Sequence, residues 1–135
     1  MTAERQASGL DFILDPTSGV PFYRQIIMQI EIAIADGRLS TGAQLPTVRG
    51  LAVNLQINPN TVARAYNELE IRGIVNTQQG TGTFISERKI ELTEEERDEI
   101  LGRLIRSFLA TASSYGFVVD EVIDYLTSLK EDAGI

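Results

Sequence analysis

Residues 54–73 read NLQINPNTVARAYNELEIRG, and the fold is decided by this stretch. Asn58 can accept a backbone N–H through its side-chain oxygen. Pro59 follows at the first helical position, where its missing N–H costs nothing. Val62, Ala65, Tyr66 and Leu69 then recur at i, i+3, i+4 and i+7, which makes one apolar stripe. At about 100° per residue, Asn60, Arg64 and Asn67 fall nearly opposite that stripe. Gly73 supplies the stop. The pattern predicts a helix over about Pro59–Arg72 with one face rooted in a core and the other bearing amides and a guanidinium. Asn and Arg pair bidentately with adenine and guanine edges, so the outer face is suited to reading DNA.

Working upstream, Thr47 is an N-cap for a short helix whose apolar face is Val48, Leu51, Ala52 and Leu55. Gln56 and Ile57 form the turn between the two helices, with Ile57 expected to point inward. Two short helices joined this tightly match a helix-turn-helix. Further upstream, Pro21 opens another helix, with Ser18 or Gly19 as possible caps; Ile26, Ile30, Ala33 and Ile34 carry its periodicity and Gly37 ends it. Residues 39–46 read as a connector anchored by Leu39 and Leu45. Downstream, Ile74–Thr77 and Thr83–Ile85 read as two short strands around the loop Gln78-Gln79-Gly80-Thr81-Gly82. Three helices and a hairpin, in that order, make a winged helix. Residues 1–20 are ambiguous. Leu10, Phe12 and Leu14 fit either an extended arm or a frayed terminus with a few apolar anchors, before the turn cluster Asp15–Gly19.

Beyond a linker at about Glu87–Leu92, Thr93-Glu94-Glu95-Glu96 is a capping box that opens a long helix. Its apolar residues are Ile100, Leu101, Leu104, Ile105, Phe108, Leu109 and Ala112, and Gly116 ends it. A last helix carries Val119, Val122, Ile123, Leu126 and Leu129. Two helices cannot hide this much apolar surface from water by themselves. The surplus fits a homodimer interface, with Leu101, Leu104, Ile105, Phe108, Leu109, Val122, Ile123 and Leu126 as its candidates. The rival arrangement is an intramolecular cap on the winged helix.

The chain has 135 residues, 43% of them hydrophobic, enough for one domain or two very small ones. The absence of Cys and His excludes disulfides, thiol nucleophiles, Cys/His zinc sites and histidine acid–base chemistry. No cofactor or metal is implied. The acidic run Glu94–Glu99 reads as a solvated helix start, and no nucleophile–base pair or phosphate-cradling loop points to an enzyme. With no disulfide framework, no secretory segment and no apolar run long enough to span a membrane, a cytoplasmic protein is expected. The net charge of −7 sits mostly in the tail. Residues 89–135 carry five Lys or Arg against eleven Asp or Glu. Residues 37–85 carry Arg38, Arg49, Arg64 and Arg72 against Glu68 and Glu70. Screening over about 10 Å makes this local excess of positive charge the relevant quantity at a phosphate.

The run Pro21-Phe22-Tyr23-Arg24-Gln25-Ile26, with Gly37-Arg38-Leu39, Gly42, Leu45-Pro46-Thr47-Val48-Arg49, Leu51-Ala52, Thr61-Val62, Ala65-Tyr66, Leu69-Glu70, Gly73 and Gly80-Thr81-Gly82-Thr83-Phe84-Ile85, closely resembles the GntR family of bacterial winged-helix regulators. The short tail and Asn58-Pro59-Asn60-Thr61-Val62 resemble its YtrA-type subgroup. The resemblance implies an α+β, mostly helical fold with three parts: an N-terminal arm (1–20), a winged helix-turn-helix (21–88) and a helical dimerisation tail (89–135). It implies a dimeric repressor of its own operon, of the kind that often governs transporter genes, acting on a palindromic operator. Carried over position by position, Arg49, Asn58, Asn60, Thr61 and Gly80 are expected to contact DNA, and Thr47, Gln79, Thr81 and Gly82 beside them are further candidates. Arg64, by its exposed position, is added as a base reader beside Asn60. The sequence departs from the broader family in two places: Pro59-Asn60 stand where Ser-Arg is common, and Gln78-Gln79 replace basic residues at the wing. A protein-interaction module is the competing reading. A small-molecule effector would need the dimer interface or the cleft between tail and wing for its pocket.

Overall fold

The computed structural model describes residues 10–87 and 91–133. The first nine residues of the arm, residues 88–90 of the linker and residues 134–135 lie outside them. The chain divides into two units, Met1–Arg88 and Lys89–Ile135.

In the first unit, helices α1 (Phe22–Ala35), α2 (Val48–Leu55) and α3 (Pro59–Ile71) precede strands β1 (Val75–Gln78) and β2 (Gly82–Ile85). Helix α3 packs against α1, α2 and β1, and so occupies the centre. Its four stripe residues, Val62, Ala65, Tyr66 and Leu69, are all buried. They meet Ile26, Ile27, Ile30 and Ala33 of α1, Leu51 and Ala52 of α2, Leu39 and Leu45 of the connector, and Val75 and Ile85 of the hairpin in one core. Thr47 caps α2, accepting from the Gly50 N–H at 2.9 Å. Gln56 then turns the chain in the left-handed region at φ 58°, and the Ile57 N–H reaches back to the Ala52 carbonyl at 3.0 Å. Ile57 packs against the core only partly buried, less of a plug than its position predicts.

Helix α1 starts at Pro21 with no side-chain cap, which corrects the expectation for Ser18 and Gly19. The Ser18 hydroxyl is engaged elsewhere, accepting from the Val20 N–H and the Gln25 amide, each at 3.1 Å. The described part of the arm is not frayed. Leu10 and Phe12 are buried in the core, and two glutamines of α1 pair with arm backbone as a neighbouring strand would. The Gln29 amide accepts from the Ile13 N–H at 3.1 Å and donates to the Ile13 carbonyl at 2.8 Å. Gln25 does the same for Asp15, at 2.8 and 2.9 Å.

The two strands are antiparallel and both reach one residue further towards the tip than the sequence predicts, with Gln78 paired to Gly82, while Ile74, expected in the first strand, lies before it. The connector joins them. Leu45 N–H donates to the Thr83 carbonyl, and Ile85 N–H to the Ala43 carbonyl, both at 2.9 Å. A segment that reads as loop therefore flanks β2 on its other side, bridged at Gln44 and Phe84. Pro46 directly after it obscures the strand pattern.

In the second unit, α4 (Glu94–Ser114) and α5 (Val119–Ala133) are joined at Tyr115–Val118. The capping box forms in full: Glu96 N–H donates to the Thr93 hydroxyl at 3.1 Å, and Thr93 N–H to the Glu96 carboxylate at 3.0 Å. The Thr93 N–H, and after it the Thr93 hydroxyl, hold the Glu96 carboxyl below its ordinary pKa. No described residue of α4 is buried. Leu109 and Val122 are half-buried; the other expected interface residues, Leu101, Leu104, Ile105, Phe108, Ile123 and Leu126, are exposed.

The burial of the arm has a direct test. Phe12→Ala should lower the urea-unfolding free energy by about 3 kcal/mol, as expected when a buried aromatic ring is removed. A loss below about 0.5 kcal/mol would show that the arm does not belong to the core.

Candidate nucleic-acid interface

Helix α3 is fixed to the core by the four stripe residues on one side, so the opposite side is presented to solvent. Asn60, Arg64 and Asn67 are all exposed there. The start of the helix is set by Asn58, whose side-chain oxygen accepts the Asn60 N–H at 2.8 Å, with Pro59 at the first position. Pro59 has no N–H and the Thr61 N–H donates to the Asn58 carbonyl at 2.9 Å, so what this helix start offers a phosphate is the positive end of its dipole. Thr61 is half-buried.

Tyr66 ties this helix to the start of α2. Its hydroxyl donates to the Pro46 carbonyl at 2.8 Å, one residue before the Thr47 cap. Burial pushes the phenol well above its ordinary pKa, so it remains a donor throughout the physiological range. Arg49 lies in the first turn of α2, exposed and with no ion-pair partner among the described residues. The carboxylates that could have held it are engaged elsewhere. Glu68 pairs with Arg72 at 2.7 Å, and Arg72 also bridges to Glu31 of α1 at 3.0 Å. Glu70 accepts the Thr77 N–H at 3.4 Å. Arg38 is bound to Asp36 at 3.0 Å, which lowers that carboxyl's pKa.

The wing turn is built on Gln78–Thr81, with Thr81 N–H donating to the Gln78 carbonyl at 2.9 Å. Gly80 has φ 78°, the value a type II turn requires at its third residue. Nothing lies within 4 Å of where a Gly80 Cβ would stand, so its backbone conformation and not crowding favours glycine. Gly82 is constrained by both: φ is 143°, and a Cβ would fall 2.4 Å from the Gln44 amide nitrogen. That amide donates to the Thr81 carbonyl at 3.1 Å, so the connector holds the wing tip in place. Gln44 has no signal in the sequence that would have marked it for this task. Thr47, Val48 and the wing residues Thr77–Thr83 line one open groove of about 420 Å³. Of the expected contact residues, the fold thus gathers Thr47 with Gln79, Gly80, Thr81 and Gly82. Asn58, Asn60, Thr61 and Arg64 form a second group on the N-terminal half of α3, and Arg49 stands on the first turn of α2.

Among the described residues no three Asp or Glu side chains converge to hold a metal ion, and no helix is long and apolar enough to cross a membrane.

Replacing Asn58 probes the cap. Asn58→Ala should lower stability by about 1 kcal/mol and Asn58→Gly by only a few tenths, in paired urea melts. Equal losses for the two would mean that the 2.8 Å bond does not set the helix start.

Comparison with known proteins agrees with this fold. Residues 22–85 match the family described as bacterial regulatory proteins, gntR family. The chain is 35% identical over 114 residues to YhcF of Bacillus subtilis (strain 168), an HTH-type transcriptional regulator, covering 84% of this chain and 93% of that one. It is 34% identical over 119 residues to the HTH-type transcriptional repressor YtrA of the same organism, covering 88% and 92%. A solved GntR family transcriptional regulator from Listeria monocytogenes superposes with a TM-score of 0.58 at 33% identity, covering 85% of this chain and 98% of that one. These relatives are regulators and not enzymes. The chain belongs to the gntR family of bacterial regulatory proteins, as a DNA-binding transcriptional regulator of the YtrA type.

Proposed function

We propose that this regulator is a homodimeric repressor that acts by occupying a palindromic operator in its own promoter, in the cytoplasm, with transporter genes in the controlled operon. The observation that carries this reading is the exposed amide-and-guanidinium face of α3, opposite four buried residues and next to a capped helix start. Two such helices related by a dyad would enter successive major grooves, with half-sites about one helical turn apart. Asn60 and Arg64 would contact the duplex within each half-site. Arg49, Asn58, Thr61 and the Thr47–wing groove would fix the register on the backbone. The name of the YtrA relative supports repression as the outcome.

Dimerisation is supported by the tail. Leu104 and Phe108 are 58% and 54% exposed, one turn apart on α4, with Leu101 and Ile105 exposed beside them. Ile123 and Leu126 are exposed on α5. An apolar face of this extent in water marks an interaction surface.

Two measurements test the proposal. In fluorescence anisotropy with promoter DNA, Arg49→Ala and Asn60→Ala should each weaken binding by about ten-fold, as the loss of a charged or bidentate contact predicts, with far-UV circular dichroism unchanged. Binding equal to wild type for both would refute the interface. In light scattering at micromolar concentration the protein should be a dimer and Phe108→Glu a monomer with weakened operator binding; a wild-type monomer would refute the tail's role.

A further inference from the structure

Helix α3 contains a single cation, Arg64, and that side chain does not stand free. Its guanidinium carbon lies 3.8 Å from the centroid of the Tyr23 ring on α1. Tyr23 is half-buried and packed against the core, so the ring is the fixed partner and the exposed arginine is the one that leans on it. Arg64 has no ion-pair partner among the described residues. A guanidinium stacked on a ring keeps its N–H donors in its own plane, free to bind beyond the ring's edge.

The direction of the lean matters. In helix-turn-helix docking the N-terminal part of the recognition helix enters the major groove. Helix α1 packs along the side of α3 and must stay outside that groove. A side chain drawn towards α1 is therefore drawn out of the groove to its rim, where the phosphates are. Asn60, one turn earlier, has no such tether and remains at the part of α3 that enters. We infer that Tyr23 is a positioning residue that directs Arg64 to a backbone phosphate, leaving base recognition on this helix to Asn60 and its neighbours. This departs from the expectation that Arg64 reads a base, and it rests on the duplex-binding proposal above. A planar cation aimed at the rim also offsets the basic residues lacking at Pro59-Asn60 and at the wing.

The experiment is anisotropy across a range of NaCl concentrations with two duplexes, one of random sequence and one selected by the wild-type protein from a random pool. Arg64→Ala should weaken binding to both by about ten-fold and reduce the salt slope by about one. Tyr23→Leu should weaken both by about two- to five-fold, the worth of an exposed stacked cation. The double variant should bind no more weakly than Arg64→Ala alone, and Tyr23→Phe, which keeps the ring, should retain the coupling. An Arg64→Ala loss confined to the selected duplex, with an unchanged slope, would make Arg64 a base reader and overturn the inference. Losses that multiply in the double variant would reduce Tyr23 to a structural residue and overturn it as well. If the wild-type protein binds neither duplex, the duplex-binding proposal itself fails, a result distinct from both.

Discussion

The structure depends on how α3 is held. Val62, Ala65 and Leu69 have no solvent exposure, and Tyr66 has almost none. These residues occupy one side of a thirteen-residue helix, so they fix its rotation about its own axis as well as its position. Slipping the helix by one residue would turn the stripe by about 100° and bring amides into the core, where each unpaired polar group costs a few kcal/mol. The exposed face of Asn60, Arg64 and Asn67 is therefore determined by what is buried behind it. The same residues that make the core aim the proposed recognition surface.

Side chains that pair with backbone extend this control outwards. The Tyr66 bond to Pro46 joins the core of α3 to the start of α2. The Gln44 bond to Thr81 joins the connector to the wing tip. Gln25 and Gln29 pair with the arm as a strand would, holding an extended segment against a helix that could not otherwise satisfy its N–H and C=O groups. Each is a modest interaction in itself, worth about 1 kcal/mol. Their placement makes three irregular segments behave as parts of one body.

Much of this was legible in the sequence, for physical reasons that differ along the chain. The starts of α2, α3 and α4 are written in local chemistry, since Thr47, Asn58 and Thr93 each cap with their own side chains within three residues. The stripe of α3 is legible because burial on one face imposes a 3.6-residue period. The wing turn is legible because Gly80 needs a positive φ. What escaped the sequence is contact over long separations. Gln25 and Gln29 read as ordinary polar helix positions, because their partners lie ten and sixteen residues away and are backbone groups without a residue signature. The bridge between the connector and β2 is hidden by Pro46. The stacking of Arg64 on Tyr23 spans two helices, and nothing in either helix announces it. In the tail, the apolar periodicity was readable, but the sequence could not specify what covers it.

The central claim is that the face of α3 opposite its buried stripe, flanked by the start of α2 and the wing, receives duplex DNA. Amide chemical-shift mapping on titration with promoter duplex tests it most directly. The account predicts that the largest changes cluster at residues 47–50, 58–64 and 78–82, with little change on the Met28–Ile32 side of α1. Changes concentrated on that side of α1, or in α4 and α5 with the three predicted clusters silent, would contradict it.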